Sequence, residues 1–183
     1  MTNDLASPRI VSSGKIAAPP DAVLGFLADL GNHARLAPRA VEVRSLERRS
    51  DGGARALVRL KGPLGIRRSA VTELLPPDPA SDSIIGRARI GKRTAASVVW
   101  KIRPNGDGSA VTIRTAIESV SRHDGLLLRM GADRWIARRF AVAIAKLSHE
   151  LGAASAAHQG AGYLTGGGAP STLAGSAGSQ LHT

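Results

Sequence analysis

The chain contains no cysteine. This removes disulfides, thiolate metal sites and cysteine nucleophiles from consideration together. Aromatic residues are almost as scarce, with two Trp, one Tyr and two Phe in 183 residues. A core must therefore be built from Val, Ile, Leu and Ala, and each aromatic becomes informative. No uninterrupted apolar run approaches the ~20 residues that a bilayer-spanning helix needs. The opening Met1-Thr2-Asn3-Asp4 does not lead from a basic segment into an apolar one, so no signal peptide is expected and a cytoplasmic location is. From Leu151 to Thr183 there is no Asp, Glu, Lys or Arg, and Gly, Ala, Ser and Thr dominate. Stretches such as Gly166-Gly167-Gly168 cannot pack a core. The expected organisation is an N-terminal extension over 1–7, one domain over 8–151, and a flexible tail over 152–183.

Positive charge is abundant: 25 Lys and Arg stand against 14 Asp and Glu, a formal net charge of +11. Such an excess favours phosphate-bearing partners, whether nucleic acid or an anionic membrane surface. Many of these cations fall at alternate positions of apolar segments, where a solvated sheet face explains them. A working basic surface would instead gather them into one patch.

The apolar pattern alternates between two periods. Ile10 and Ile16 mark a short strand over Arg9 to Ala17. Pro19-Pro20-Asp21 starts a helix, since proline and an acid both suit a first turn. Val23, Leu24, Phe26, Leu27 and Leu30 give it one apolar face, Gly31-Asn32 ends it, and a short turn from His33 to Leu36 follows. From Arg39 to Ser121 the period is two. Strands are expected around Val41 and Val43, Ala54 to Leu60, Ile66 to Leu75, Ile84 to Ile90, Ala96 to Ile102 and Val111 to Ile117, separated by Gly- and Pro-rich turns. Each has one apolar side and one arginine-rich side, as in an antiparallel sheet with one covered face. The cover is a last helix from about Gly125 to Leu151, roughly 40 Å long, with Asp124 as its N-cap. Its apolar stripe runs through Trp135, Ile136, Phe140, Val142, Ile144, Leu147 and Leu151.

This order of elements, an α+β chain of strand, two short helices, meander and long helix, resembles the START-like or SRPBCC superfamily, which has the helix-grip fold. Local wording agrees. Ile16-Ala17-Ala18-Pro19-Pro20-Asp21-Ala22-Val23 with Phe26-Leu27-Ala28-Asp29 is similar to that superfamily's opening. Gly62-Pro63-Leu64-Gly65 and the run from Leu126 to Phe140 resemble its bacterial polyketide cyclase/dehydrase and lipid-transport branch. The frequent tryptophan before the mid-chain proline is absent, since Leu36-Ala37 precede Pro38. The resemblance covers about residues 8 to 151. It implies a curved antiparallel sheet of about seven strands wrapped around the long helix, with an apolar cavity between them. It places Phe26, Leu30, Val58, Leu60, Ala70, Trp100, Ile113, Met130, Trp135, Ile136 and Phe140 as candidates to line that cavity. The implied partner is a hydrophobic or amphipathic small molecule of lipid, polyketide or isoprenoid type.

Other chemistries lack their residues. Gly86 and Gly91-Lys92 imitate part of a phosphate-binding loop, but strand patterns on both sides make them a hairpin rather than the strand-to-helix turn that loop needs. His33, His123, His149, His158 and His182 are scattered, with no pair at helical ligand spacing, so neither a metal nor a cofactor is expected. No catalytic residue is assigned. A cyclase acting in the cavity would need a polar group inside it. Thr72, Thr115 and Arg68 are candidates whose facing depends on a one-residue choice of register. Nucleic acid is disfavoured as a partner because the few aromatics occupy core-like positions. An anionic membrane surface is left as a partner the charge allows, and the oligomeric state stays open.

Overall fold

A computed structural model describes residues 9–62, 65–78 and 80–162, with side chains described from 10 to 152. Seven antiparallel strands form one sheet in the order β1-β7-β6-β5-β4-β3-β2. In chain order they are β1 (Arg9–Ile16), β2 (Val41–Arg48), β3 (Ala54–Lys61), β4 (Arg67–Leu74), β5 (Ser83–Ile90), β6 (Thr94–Asn105) and β7 (Gly108–Ser119). Helices α1 (Pro20–Ala28) and α2 (Leu30–Leu36) lie between β1 and β2. After β7 come α3 (Arg122–Leu127), a π-type turn over Leu128–Ala132, and the long α4 (Asp133–Gly162). This is the expected helix-grip architecture.

The segment Gly86 to Thr94 is a hairpin: β5 pairs with β6 from Ile90 opposite Thr94, and Gly91 takes the left-handed φ of 59° in the turn between them. Register shifts between Val43 and Ser45 on β2 and between Ala95 and Ala96 on β6 bend the sheet, because an extra residue on one strand of a pair increases local twist.

The concave face is graded in side-chain size. One end of the sheet carries Ile84, Trp100, Ile102, Val111 and Ile113, which pack with Val23 and Leu27 of α1 and with Ile144 and Leu147 of α4 into a solid core. Ser109, fully buried there, donates a hydrogen bond of 2.7 Å to the Ala18 carbonyl and so satisfies the chain turning into α1. Toward the other end the inward positions shrink to Ala56, Gly86, Ala88 and Ala96, and no side chain fills the space.

Three features of the last helical segment differ from the sequence reading. It is not continuous, because Gly131 has φ 94°, outside the helical region, and kinks the chain between α3 and α4; kinks of this kind arise at glycines and π-type turns. Its N-cap is Ser121 rather than Asp124, since the Ser121 side chain accepts from the Asp124 amide. Helix α4 also continues to Gly162, beyond the end expected at Leu151. The rest of the Gly- and Ser-rich stretch lies outside the described residues.

The seat of α4 is β1, and one glycine decides how close the two approach. A Cβ built on Gly14 would lie 2.7 Å from Cγ2 of Ile144. Gly14→Ala must therefore push the helix off the strand. We expect a loss of about 1–3 kcal/mol, the usual range for an overpacked site, seen as a lower urea midpoint at unchanged m-value. Unchanged stability would mean that α4 is not seated at this point.

Candidate functional site

Between α4 and the middle strands lies a cavity of about 430 Å³. Its walls come from all seven strands, α2, the α3 segment and the first turns of α4, and they are overwhelmingly apolar. Such a size falls within the roughly 300–1,000 Å³ of small-molecule sites. The hollow is a consequence of sequence: alanine or glycine at four central inward positions supplies little volume beneath α4. It is roofed by Trp135, Ile136, Phe140 and Ala143 of α4, and Trp100 and Ile113 line it where the solid core begins.

Of the eleven candidates, Leu30, Val58, Leu60, Trp100, Ile113, Trp135, Ile136 and Phe140 lie in this wall. Three do not. Phe26 is half-buried against the solid core beside Val23 and Leu27, and the Arg35 guanidinium covers its ring at 5.7 Å. Ala70 is buried, but its cross-strand neighbours Val58 and Ile90 are larger and take the wall. Met130 is 69% exposed. The π-type turn adds a residue to its helical turn, which rotates the helical phase by about 100°. Leu127, Leu128 and Ala132 face the cavity in its place.

Arg68, Thr72 and Thr115, whose facing the sequence left open, all line the cavity, and so does His33. Four polar side chains gather at one side. Arg68 Nη1 lies 2.5 Å from Oδ1 of Asp124. Oδ2 of Asp124 accepts from the hydroxyls of Thr94 and of Ser121, the latter at 2.7 Å. The Ser121 amide in turn donates to Thr94 Oγ1 at 3.1 Å. This cluster ties β4, the start of β6 and α3 together, and it leaves the carboxylate with partners on both oxygens. Sequence reasoning missed Ser121 and Thr94. The spacing Ser121-Arg122-His123-Asp124 is that of a capping box and could have identified the cap. Nothing local signals Thr94, whose partners are about 30 residues away.

His33 is held differently. Its Nε2 lies 2.7 Å from the Leu27 carbonyl, which can only accept, so Nε2 carries the proton. The ring meets Trp100 edge-on at a centroid distance of 6.0 Å. Burial holds the imidazole below its ordinary 6.5, outweighing the Leu27 carbonyl and Asp29, which favour the charged form. His33 is thus a neutral donor with its Nε2–H committed.

Thr115 is the exception to this pattern of satisfied groups. Its side chain is 7% exposed, and among the described residues its Oγ1 alone is a buried side-chain polar atom with no hydrogen-bond partner.

Among the described residues no group of His, Asp and Glu is placed to hold a metal ion, and no helix is long and apolar enough to cross a membrane. The sheet gripping a kinked helix over an apolar hollow defines a START-like, helix-grip protein. The chain belongs to the family described as polyketide cyclase/dehydrase and lipid transport, whose sequence model matches residues 7–152. Several solved structures share the fold. TTHA0849 from Thermus thermophilus is 22% identical, with 81% of this chain and 99% of that chain covered and a TM-score of 0.66. A START superfamily protein from Mycobacterium smegmatis is 14% identical over 78% and 96%, with a TM-score of 0.57. The Zhui aromatase/cyclase from a Streptomyces species is 18% identical over 76% and 93%, with a TM-score of 0.56. A comparison with curated proteins finds no match.

The His33 environment generates a pH dependence. Its folded-state value is depressed and its unfolded value ordinary, so below about 6.5 the unfolded chain binds a proton that the folded chain refuses. Stability should then fall as the pH drops from 6.5 toward the folded value. Thermal melts across this window should show a slope that His33→Gln flattens, and an equal slope in both proteins would remove His33 as the cause.

Proposed function

We propose that this chain binds and carries an apolar molecule bearing a hydrogen-bonding oxygen, held in the cavity with its oxygen against Thr115. The observation that carries the reading is an apolar hollow of about 430 Å³ whose wall contains one unpartnered, buried hydroxyl. A stranded hydroxyl costs a protein about 1–3 kcal/mol. A lone water would be poorly held, because an ordered water needs two to four polar partners. A ligand hydroxyl or carbonyl resolves the position, while its hydrocarbon body occupies the space left by Ala56, Gly86, Ala88 and Ala96. Lipid, polyketide and isoprenoid molecules all have this character.

Turnover is the alternative reading, and the printed name of the Zhui aromatase/cyclase favours it. The polar groups here weigh toward carriage. Arg68, Asp124, Thr94 and Ser121 are engaged with one another, and the His33 proton is committed to Leu27. A general acid or base must instead be free to exchange its proton with the reacting group. A cyclase working in this cavity would have to open the Arg68–Asp124 cluster during its cycle.

Thr115→Val keeps the side-chain shape and removes the hydroxyl. We expect the apo protein to gain about 1–3 kcal/mol. Affinity for a long-chain alcohol or ketone should fall about tenfold, as for loss of one hydrogen bond, while that for the matching alkane holds. Ala88→Phe should fill the hollow and abolish uptake of both, without unfolding the protein. Displacement of a hydrophobic fluorophore measures each affinity. Equal loss of alcohol and alkane in Thr115→Val would reject the polar contact, and undiminished binding in Ala88→Phe would reject the cavity as the site.

A further inference from the structure

The net positive charge is unevenly neutralised. At the end of the sheet with the β2–β3 and β4–β5 connections, cations are paired: Arg48 with Asp29, Arg49 with Asp51, and Lys101 and Arg103 with Asp82. The opposite end gathers the β3–β4 turn, the β5–β6 turn and α3. These are linked by the Arg68–Asp124 pair, by Ser119 Oγ donating 3.1 Å to the Arg93 carbonyl, and by Gly91 N donating to Ser69 O. Here Lys61, Arg67, Lys92, Arg93, Arg122 and Arg129 are all exposed, and none has a carboxylate partner among the described residues. Of the acids at this end, Asp124 is bound to Arg68 and Glu42 to Arg44, and Glu118 and Asp133 do not offset six cations.

The same end exposes aliphatic side chains: Ile66 (37%), Val120 (46%), Leu126 (59%) and Met130 (69%). Single exposed apolar residues need no explanation, but four among six unpaired cations form a defined chemical pattern. Ile66 and Val120 also line the cavity, and Leu127 and Leu128 line it from the segment whose outer side bears Leu126 and Met130. Cations that reach lipid phosphates, around aliphatic groups that enter the headgroup layer, are the two components of interfacial membrane binding. A nucleic-acid surface would add exposed aromatics for stacking, and no described aromatic side chain is fully exposed.

We propose that this end of the sheet docks on an anionic lipid bilayer, with Ile66, Val120, Leu126 and Met130 entering the headgroup layer and the surrounding cations meeting lipid phosphates. An apolar ligand could then pass between bilayer and cavity along Leu127, Leu128, Ile66 and Val120 with little exposure to water. The docking rests on surface residues and does not require the cavity to be occupied, so it and the ligand proposal fail separately.

Flotation of the full chain with phosphatidylcholine vesicles, with and without phosphatidylglycerol, tests it. We expect retention only on the anionic vesicles, falling steeply with salt. Lys92→Glu and Arg93→Glu should each weaken partition about fivefold or more, and Met130→Ser should weaken it at low and high salt alike. Arg114→Glu, an equal charge change on an exposed β7 position, should have little effect. These positions lie in an exposed turn, on an exposed helical segment and on the outer sheet face, and circular dichroism confirms that each variant folds. No retention on anionic vesicles would overturn the proposal. So would equal losses from Lys92→Glu and Arg114→Glu, no loss from Met130→Ser, or displacement from the vesicles by a short DNA duplex bound through Lys92 and Arg93.

Discussion

A straight helix can touch a curved sheet only along part of its length, and this mismatch governs the molecule. Helix α4 is pressed onto β1 where Gly14 lets Ile144 approach, and Ile144 and Leu147 continue into the solid core. With that end anchored, the first turns of α4 must stand away from the middle strands as the sheet curves beneath them. Large side chains on those strands would close the gap. Ala56, Gly86, Ala88 and Ala96 do not, and the gap becomes a cavity of about 430 Å³.

An unfilled apolar volume is destabilising, since its walls lose the dispersion contacts that a packed core would give. Here the loss is concentrated at one end, while the other is packed with Ile84, Trp100, Ile102, Val111 and Ile113. That division of labour lets the fold keep a space for a partner. Polar groups follow the same logic: Arg68, Asp124, Thr94 and Ser121 are satisfied among themselves and hold α3 against the strands, whereas Thr115 is not. A buried hydroxyl left unpaired, alone among the described residues, is the expected local cost of a binding function.

Much of this was legible in the sequence because it rests on local periodicity. The alternation of Ala54, Ala56, Val58 and Leu60 with Arg55, Leu57, Arg59 and Lys61 defines both the strand and its covered face. The Pro19-Pro20-Asp21 signal marks the start of α1. Eight of the eleven cavity candidates lie in the wall for the same reason. The misses have other causes. Met130 faces outward because the π-type turn shifts helical phase, Ala70 is hidden by its cross-strand neighbours, and Phe26 packs against the solid core instead of the cavity. The Arg68–Asp124–Thr94 cluster joins positions up to 56 residues apart, from 68 to 124, and the lone hydroxyl of Thr115 is visible only once its surroundings are. Likewise, the charge excess was evident from composition, but its concentration around exposed Leu126 and Met130 required the topology.

We propose that the hollow holds an oxygen-bearing apolar molecule. Native mass spectrometry of the freshly purified full chain, followed by organic extraction of whatever it releases, addresses it most directly. We expect a stoichiometric adduct whose extract is a hydrocarbon carrying a hydroxyl or carbonyl group. A mass of the bare chain, under conditions in which a known lipid-binding protein keeps its ligand and with offered lipids, isoprenoids and polyketides all failing to bind, would contradict it.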